Sequence, residues 1–178
     1  MVKTAFTRNI PADFLTSNHH IFGQIRVANT GLMGLLSDVT TSTIEVNDGS
    51  MARIVNPDKV INYSPVMWVV KEQLLAVSLG KREFVGANAL VRGGYLQIQE
   101  NLVQITTPVY ELQGTLQYTG RFEFPVLLGD GTNPFVILYN ATLVASLFPD
   151  MHLESEAMLV NRKFIDSLVS IKKKTQES

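Results

Sequence analysis

The chain has no cysteine among its 178 residues, which removes disulfides, thiolate metal sites and cysteine nucleophiles from consideration. Histidine is nearly as scarce, with His19, His20 and His152 the only three. A metal site wants three or four ligands at defined spacing, and neighbours on a strand point to opposite faces, so His19 and His20 cannot both serve one site. No metal is expected. Charge of either sign is also in short supply: fifteen basic residues stand against sixteen acidic ones, so no bulk field draws the chain toward nucleic acid or anionic lipid. Residues 1–80 carry six of each sign and residues 81–178 carry nine basic and ten acidic, so neither half is cationic. Nucleic acid is not an expected partner. No run approaches the roughly 18 apolar residues of a membrane span. Met1–Pro11 has a polar residue every two or three positions where a signal peptide has its apolar core. A membrane is not expected as a partner, and the expected compartment is the cytoplasm.

Catalytic signatures are missing too. Gly93-Gly94 and Gly129-Asp130-Gly131 are too short to cradle a phosphate, and neither dinucleotide-binding nor P-loop spacing occurs. No serine sits in a Gly-x-Ser-x-Gly elbow. Asp38, Asp58, Asp130 and Asp150 give an apparent carboxylate pair in each half, but Asp after Ser or Gly makes an Asx turn and Pro-Asp starts a turn. The expected list of catalytic, cofactor-binding and metal-binding residues is therefore empty, and no cofactor is expected. The Lys172–Lys174 run reads as a solvated tail.

What the chain does have is strand. With 46% hydrophobic and 17% charged residues it can build a core. Pro65–Leu79 holds two apolar runs, Val66–Val70 and Leu74–Leu79, around Lys71-Glu72-Gln73. Ala157–Ile171 repeats the plan around Asn161-Arg162-Lys163. Each reads as a hairpin with a short polar turn, burying Trp68, Val70, Leu75 and Val77 in one and Met158, Val160, Ile165 and Leu168 in the other. Asn47-Asp48-Gly49, between Thr43–Val46 and Met51–Val55, reads as a tight turn. Leu96–Gln99 and Leu102–Thr106 alternate as lead-in strands, whereas the region before His19 carries Pro11 and predicts a weak strand or none. Helix is confined to one possible turn at Asp13–Asn18.

The repetition extends further. Ile21–Val27 matches Leu112–Tyr118 with Gly23 over Gly114, 91 positions apart. Leu35–Asp38 matches Leu127–Asp130 and Val55–Asp58 matches Leu147–Asp150, both at 92. Ordered landmarks at nearly constant spacing predict an internal duplication. The expected units are 1–84 and 85–178, joined through the glycine-rich stretch Phe84–Gly94. The fold class is all-β: two tandem, similar, small barrel-like or strongly curved antiparallel sheets.

These landmarks, the glycine-bearing strand, Leu-Ser-Asp and the terminal apolar runs, resemble a small bacterial all-β domain of unknown function. Their strand order is similar to small Sm-like barrels over about residues 20–80 and 110–171. Val91-Arg92-Gly93 echoes the Arg-Gly element of that family, but it falls in the linker rather than on the penultimate strand, and Gly129 replaces the serine in the second copy. The resemblance implies a fold and supplies no functional residues. The function expected from all this is non-catalytic: a binding or scaffolding module contacting another protein or its own copies. The alternative is a small barrel that binds nucleic acid or a small ligand in a groove.

Overall fold

The computed structural model of the protein describes residues 7–87, 94–121, 123–129 and 133–171. Asp130, the Arg92–Gly93 pair and the Lys172–Lys174 run lie outside them. The first half contains β1 (Arg8–Leu15), β2 (His19–Val27), a short helix α1 (Gly31–Ser37), β3 (Thr43–Arg53), β4 (Asn56–Val70) and β5 (Ala76–Leu79). The second contains β6 (Ile98–Thr106), β7 (Tyr110–Thr119), α2 (Phe124–Gly129), β8 (Phe135–Ala145), β9 (Phe148–Asn161) and β10 (Ser167–Ser170). The protein is mostly β, and all ten strands form one antiparallel sheet in the order β10-β6-β7-β8-β9-β5-β1-β2-β3-β4. That sheet is neither closed nor strongly curled, which corrects the expectation of two separate barrel-like units. The physical reason is β5, which pairs with β1 of its own half and β9 of the other and so makes two sheets one.

Within that sheet the halves have the same order: β5-β1-β2-β3-β4 and β10-β6-β7-β8-β9. Small hydrogen bonds correspond as well. Thr16 Oγ1 accepts from His19 N, and Thr107 Oγ1 accepts from Tyr110 N. The Ser64 hydroxyl donates to the Val66 carbonyl as the Ser155 hydroxyl does to that of Ala157. Asp13–Leu15 face Ala76–Ser78 as Gln104–Thr106 face Ser167–Val169.

The terminal apolar runs are not hairpins. β4 pairs with β3 and β9 with β8, while Lys71–Gln73 and Arg162–Phe164 are single 3-10 turns that send the next strand to another partner. Pairing is thus decided by distant strands rather than by the turn. The change moves side chains: Val69 is buried, while Trp68 and Val70 point outward, Trp68 at 62% exposure. Leu75, Val77, Met158 and Val160 are buried as expected, and Ile165 and Leu168 are half-buried against the core.

β3 runs straight through Asn47-Asp48-Gly49, the stretch read as a turn, and β8 runs through the equivalent Tyr139-Asn140-Ala141. Each carries a bulge instead, at Asp48 and Asn140, the two non-glycine residues with positive φ (50° and 47°) among those described. Asp and Asn tolerate that left-handed conformation, so the second half needs no glycine there. The bulge presses on the neighbouring strand, and this explains the repeated glycine. A Cβ on Gly23 would lie 2.6 Å from Val46 Cγ1 and 2.8 Å from the Asn47 carbonyl oxygen. At Gly114 it would meet Leu138 Cβ at 3.0 Å and Ala141 Cβ at 3.1 Å. β1 forms despite Pro11 because Pro11 faces Gln24 of β2, beyond the Asp13–Leu15 segment that β5 also pairs. Helix appears at Gly31–Ser37 and Phe124–Gly129 instead of Asp13–Asn18, which is strand up to Leu15.

The core has two parts on opposite faces of the sheet, and each borrows from the other half. Phe135, Tyr139, Ala157 and Leu159 join the first-half cluster around Phe14, Ile25, Leu32 and Val77. Leu15, Ile54, Leu75 and Ala76 join the second-half cluster around Val103, Tyr110, Leu112 and Leu138. Gly23→Ala is expected to destabilise the protein by about 1–3 kcal/mol through overpacking against the rigid β3 backbone. Urea unfolding followed by circular dichroism checks this; an unchanged midpoint would show that the bulge does not depend on the glycine.

Candidate functional site

Three places set this molecule's contacts: the seam between halves, a cleft beside it and the two ends of the sheet. At the seam β5 and β9 run antiparallel, with Ala76 opposite Val160, Val77 opposite Leu159, Ser78 opposite Met158 and Leu79 opposite Ala157. All eight residues are buried. Asn161 extends the seam: its backbone N–H donates to the Leu75 carbonyl and its side-chain amide to the Leu74 carbonyl, each at 2.9 Å. Arg82 stacks over the Tyr139 ring at 3.8 Å, donates to Gln117 Oε1, and its backbone N–H donates to Glu156 Oε2 at 3.0 Å. Tyr110, buried in the second core, donates its hydroxyl to the Thr16 carbonyl at 2.7 Å. Burial holds its phenol well above the usual tyrosine range, because ionising it would place a charge away from water.

Between matching loops of the two halves lies a cleft of about 580 Å³, lined by Ser17, Asn18 and His19 on one side and Pro108 and Val109 on the other. Ile54, Val55, Leu147 and Phe148 make it mostly apolar, and Arg53 supplies a charge. Among the described residues no carboxylate lines it, and His19 is its one imidazole.

The sheet ends are its open edges. β4 is fifteen residues long and, among the described residues, has β3 as its one neighbour, as β10 has β6. β4 exposes Val60, Ile61, Tyr63, Val66, Trp68 and Val70, and β10 exposes Val169 at 56%. Edge strands offer unpaired N–H and C=O groups to any strand that can align, and an apolar row adds a hydrophobic incentive.

Among the described residues, the polar ones singled out in the sequence do not converge. His20 is buried and its Nε2 is 2.7 Å from Asp13 Oδ1, His19 borders the cleft, and His152 is exposed with Nδ1 3.1 Å from the Asp150 carbonyl. Asp38 follows α1 and accepts from Thr40 N at 2.9 Å and Thr40 Oγ1 at 2.6 Å, an Asx turn. The Thr40 hydroxyl, then its amide, holds that carboxyl below its ordinary value. Asp58 and Asp150 are exposed at the starts of β4 and β9. Lys71 was not singled out in the sequence. Buried in its 3-10 turn, it donates from Nζ to the Asp38 carbonyl at 2.9 Å and Thr41 Oγ1 at 2.7 Å, and burial draws its pKa down. Among the described residues no group of three or more His, Cys, Asp or Glu could hold a metal ion, and no helix is long and apolar enough to cross a membrane.

Compared with protein-family models, curated proteins and solved structures, the chain matches none.

Tyr110→Phe is expected to cost about 1 kcal/mol by leaving the Thr16 carbonyl without its donor. The pH dependence has a defined sign. A phenol whose folded pKa lies above its unfolded value of 10.0 stabilises the fold fully below pH 10 and loses that contribution as pH rises toward the folded pKa. The wild type should therefore lose stability above pH 10 more steeply than Tyr110→Phe; parallel curves in alkaline urea titrations would show that Tyr110 is not the group responsible.

Proposed function

We propose that the protein is a non-catalytic scaffold of two tandem copies of one β unit, residues 1–84 and 85–178, that acts by self-association through its open sheet edges. The observation that carries this is the apolar row Val66, Trp68 and Val70 on edge strand β4, all three turned outward. A monomer that stayed alone would leave both backbone hydrogen-bonding groups and a tryptophan in water along the same five residues. The dispersed histidines and aspartates support a role without chemistry, since catalysis needs polar groups brought together in a cleft. The resemblance to small Sm-like barrels remains a proposal about ancestry, supported by the strand order of each half.

The seam cleft favours a second reading, in which a small apolar ligand or chain segment binds against Ile54, Val109 and Phe148. Its size falls within the usual range of ligand pockets, about 300–1,000 Å³.

Light scattering on purified protein distinguishes the two. Scaffolding predicts a mass well above the 19.7 kDa of one chain, and Trp68→Glu should shift the population toward single chains while leaving the circular dichroism spectrum unchanged. A strict monomer at tens of micromolar would overturn self-association; if it also bound apolar probes or RNA, the binding alternative would replace it.

A further inference from the structure

The seam inside one chain is a worked example of how this unit joins to another. There the β5 edge of one half meets the β9 edge of the other. β10 occupies in the second half the place β5 has in the first, and β4 occupies the place of β9. Each chain therefore ends in the two surfaces that its own seam brings together. We infer that β10 of one copy adds to β4 of the next copy, head to tail, in the register that joins β5 to β9. The inference rests on the self-association proposed above and deepens it by naming the surface and the partner, a second copy of this chain.

Register follows from the spacing of 91 between equivalent positions. Ser167, Leu168, Val169 and Ser170 of one copy lie opposite Val69, Trp68, Met67 and Val66 of the next, as Ala76, Val77, Ser78 and Leu79 lie opposite Val160, Leu159, Met158 and Ala157. Exposure supports this assignment residue by residue. Val66, Trp68 and Val70 are exposed, whereas their seam equivalents Ala157, Leu159 and Asn161 are buried, Leu159 completely. Val169 is exposed and its equivalent Ser78 is buried. In the seam Leu159 enters the core of the opposite half; Trp68, in its place, enters the core beside Leu168 of the neighbouring copy.

The edge is also shaped to be open along this segment. Pro65, immediately before it, lacks a backbone N–H, and the earlier part of β4 carries Pro57, Asp58 and Lys59, residues that discourage strand addition. Val66–Val70 is the uninterrupted stretch. The loops follow suit: His19 stands where Tyr110 stands, which sets the imidazole of the copy supplying β4 toward the Thr107 carbonyl of the copy supplying β10, as Tyr110 meets Thr16. Because the two surfaces differ, the contact is heterologous and propagates into a closed ring or an open filament rather than a two-fold dimer.

The absence of cysteine makes the test clean. Met67→Cys protein is mixed with Val169→Cys protein under mild oxidation, and Trp68→Cys with Leu168→Cys in parallel. Adjacent antiparallel pairs alternate in geometry, so one of the two mixtures presents the closer pair. Expected is a disulfide-linked dimer in a mixture and none in any single-variant sample, with Tyr63→Cys plus Val169→Cys as the out-of-register control that stays uncoupled. In the unmodified protein the emission of Trp68, the single tryptophan, should move to longer wavelength on dilution as copies separate. Cross-linking of Met67→Cys or Trp68→Cys protein with itself would mean β4 meets β4 and would overturn the head-to-tail register. So would light scattering that shows assemblies while neither mixture couples. A strict monomer would instead defeat the self-association reading on which this one rests.

Discussion

The antiparallel contact of β5 with β9 is the constraint on which the rest of the architecture depends. Four residue pairs are few for a sheet, yet both faces of both strands are buried there. Residues at the seam lie in the other half's core: Leu75 and Ala76 in one direction, Ala157 and Leu159 in the other. A half without its neighbour would expose those side chains and lose the Tyr110 and Asn161 hydrogen bonds that cross the seam. The halves repeat one plan, but neither completes its core alone.

A second constraint operates inside each half. The bulges at Asp48 and Asn140 push the backbone of β3 and β8 toward β2 and β7, where Gly23 and Gly114 leave the space. The register shifts between Phe22 and Gln24 and between Gln113 and Thr115 mark the same event from the other strand. Glycine is thus required on the strand facing the bulge, while the bulge itself is carried by residues that tolerate positive φ. The two features come as a pair and recur as a pair, 91 and 92 positions on.

Much of this was legible in the sequence, and the misreadings have physical causes. Gly23 and Gly114 stood out because a steric requirement fixes one residue type and its position. Strand content was visible in the apolar runs. Partner choice was not, because Lys71-Glu72-Gln73 looks the same whether the strands beside it pair together or separate, and the decision lies with residues far along the chain: the Leu15 carbonyl, which accepts from the Leu75 N–H, and the Asn161 N–H, which donates to the Leu75 carbonyl. Asn47-Asp48-Gly49 misled for a related reason: positive φ suits a hairpin turn and a bulge equally. Trp68 and Val70 are expected inward when Pro65–Leu79 is read as a core hairpin. Alternation along β4 puts Val69 inward, so Trp68 takes the opposite face.

That outward tryptophan sits at the place where the internal seam and the proposed contact between copies differ. Val70 replaces Asn161, so a contact between copies lacks the amide bond to the preceding carbonyl. Pro65 replaces Glu156, so the carboxylate that receives the Arg82 backbone N–H in the seam has no counterpart. Asn47 replaces Tyr139, which removes the ring on which Arg82 stacks. Each of these changes subtracts a polar or stacking interaction, while the replacement of Leu159 by Trp68 adds apolar area. A contact between copies built this way relies on burying one large side chain more than on fixed hydrogen bonds. Such a contact would be weaker and less directional than the covalently tethered seam, and its population would rise with chain concentration, as for any joint that forms between molecules rather than within one.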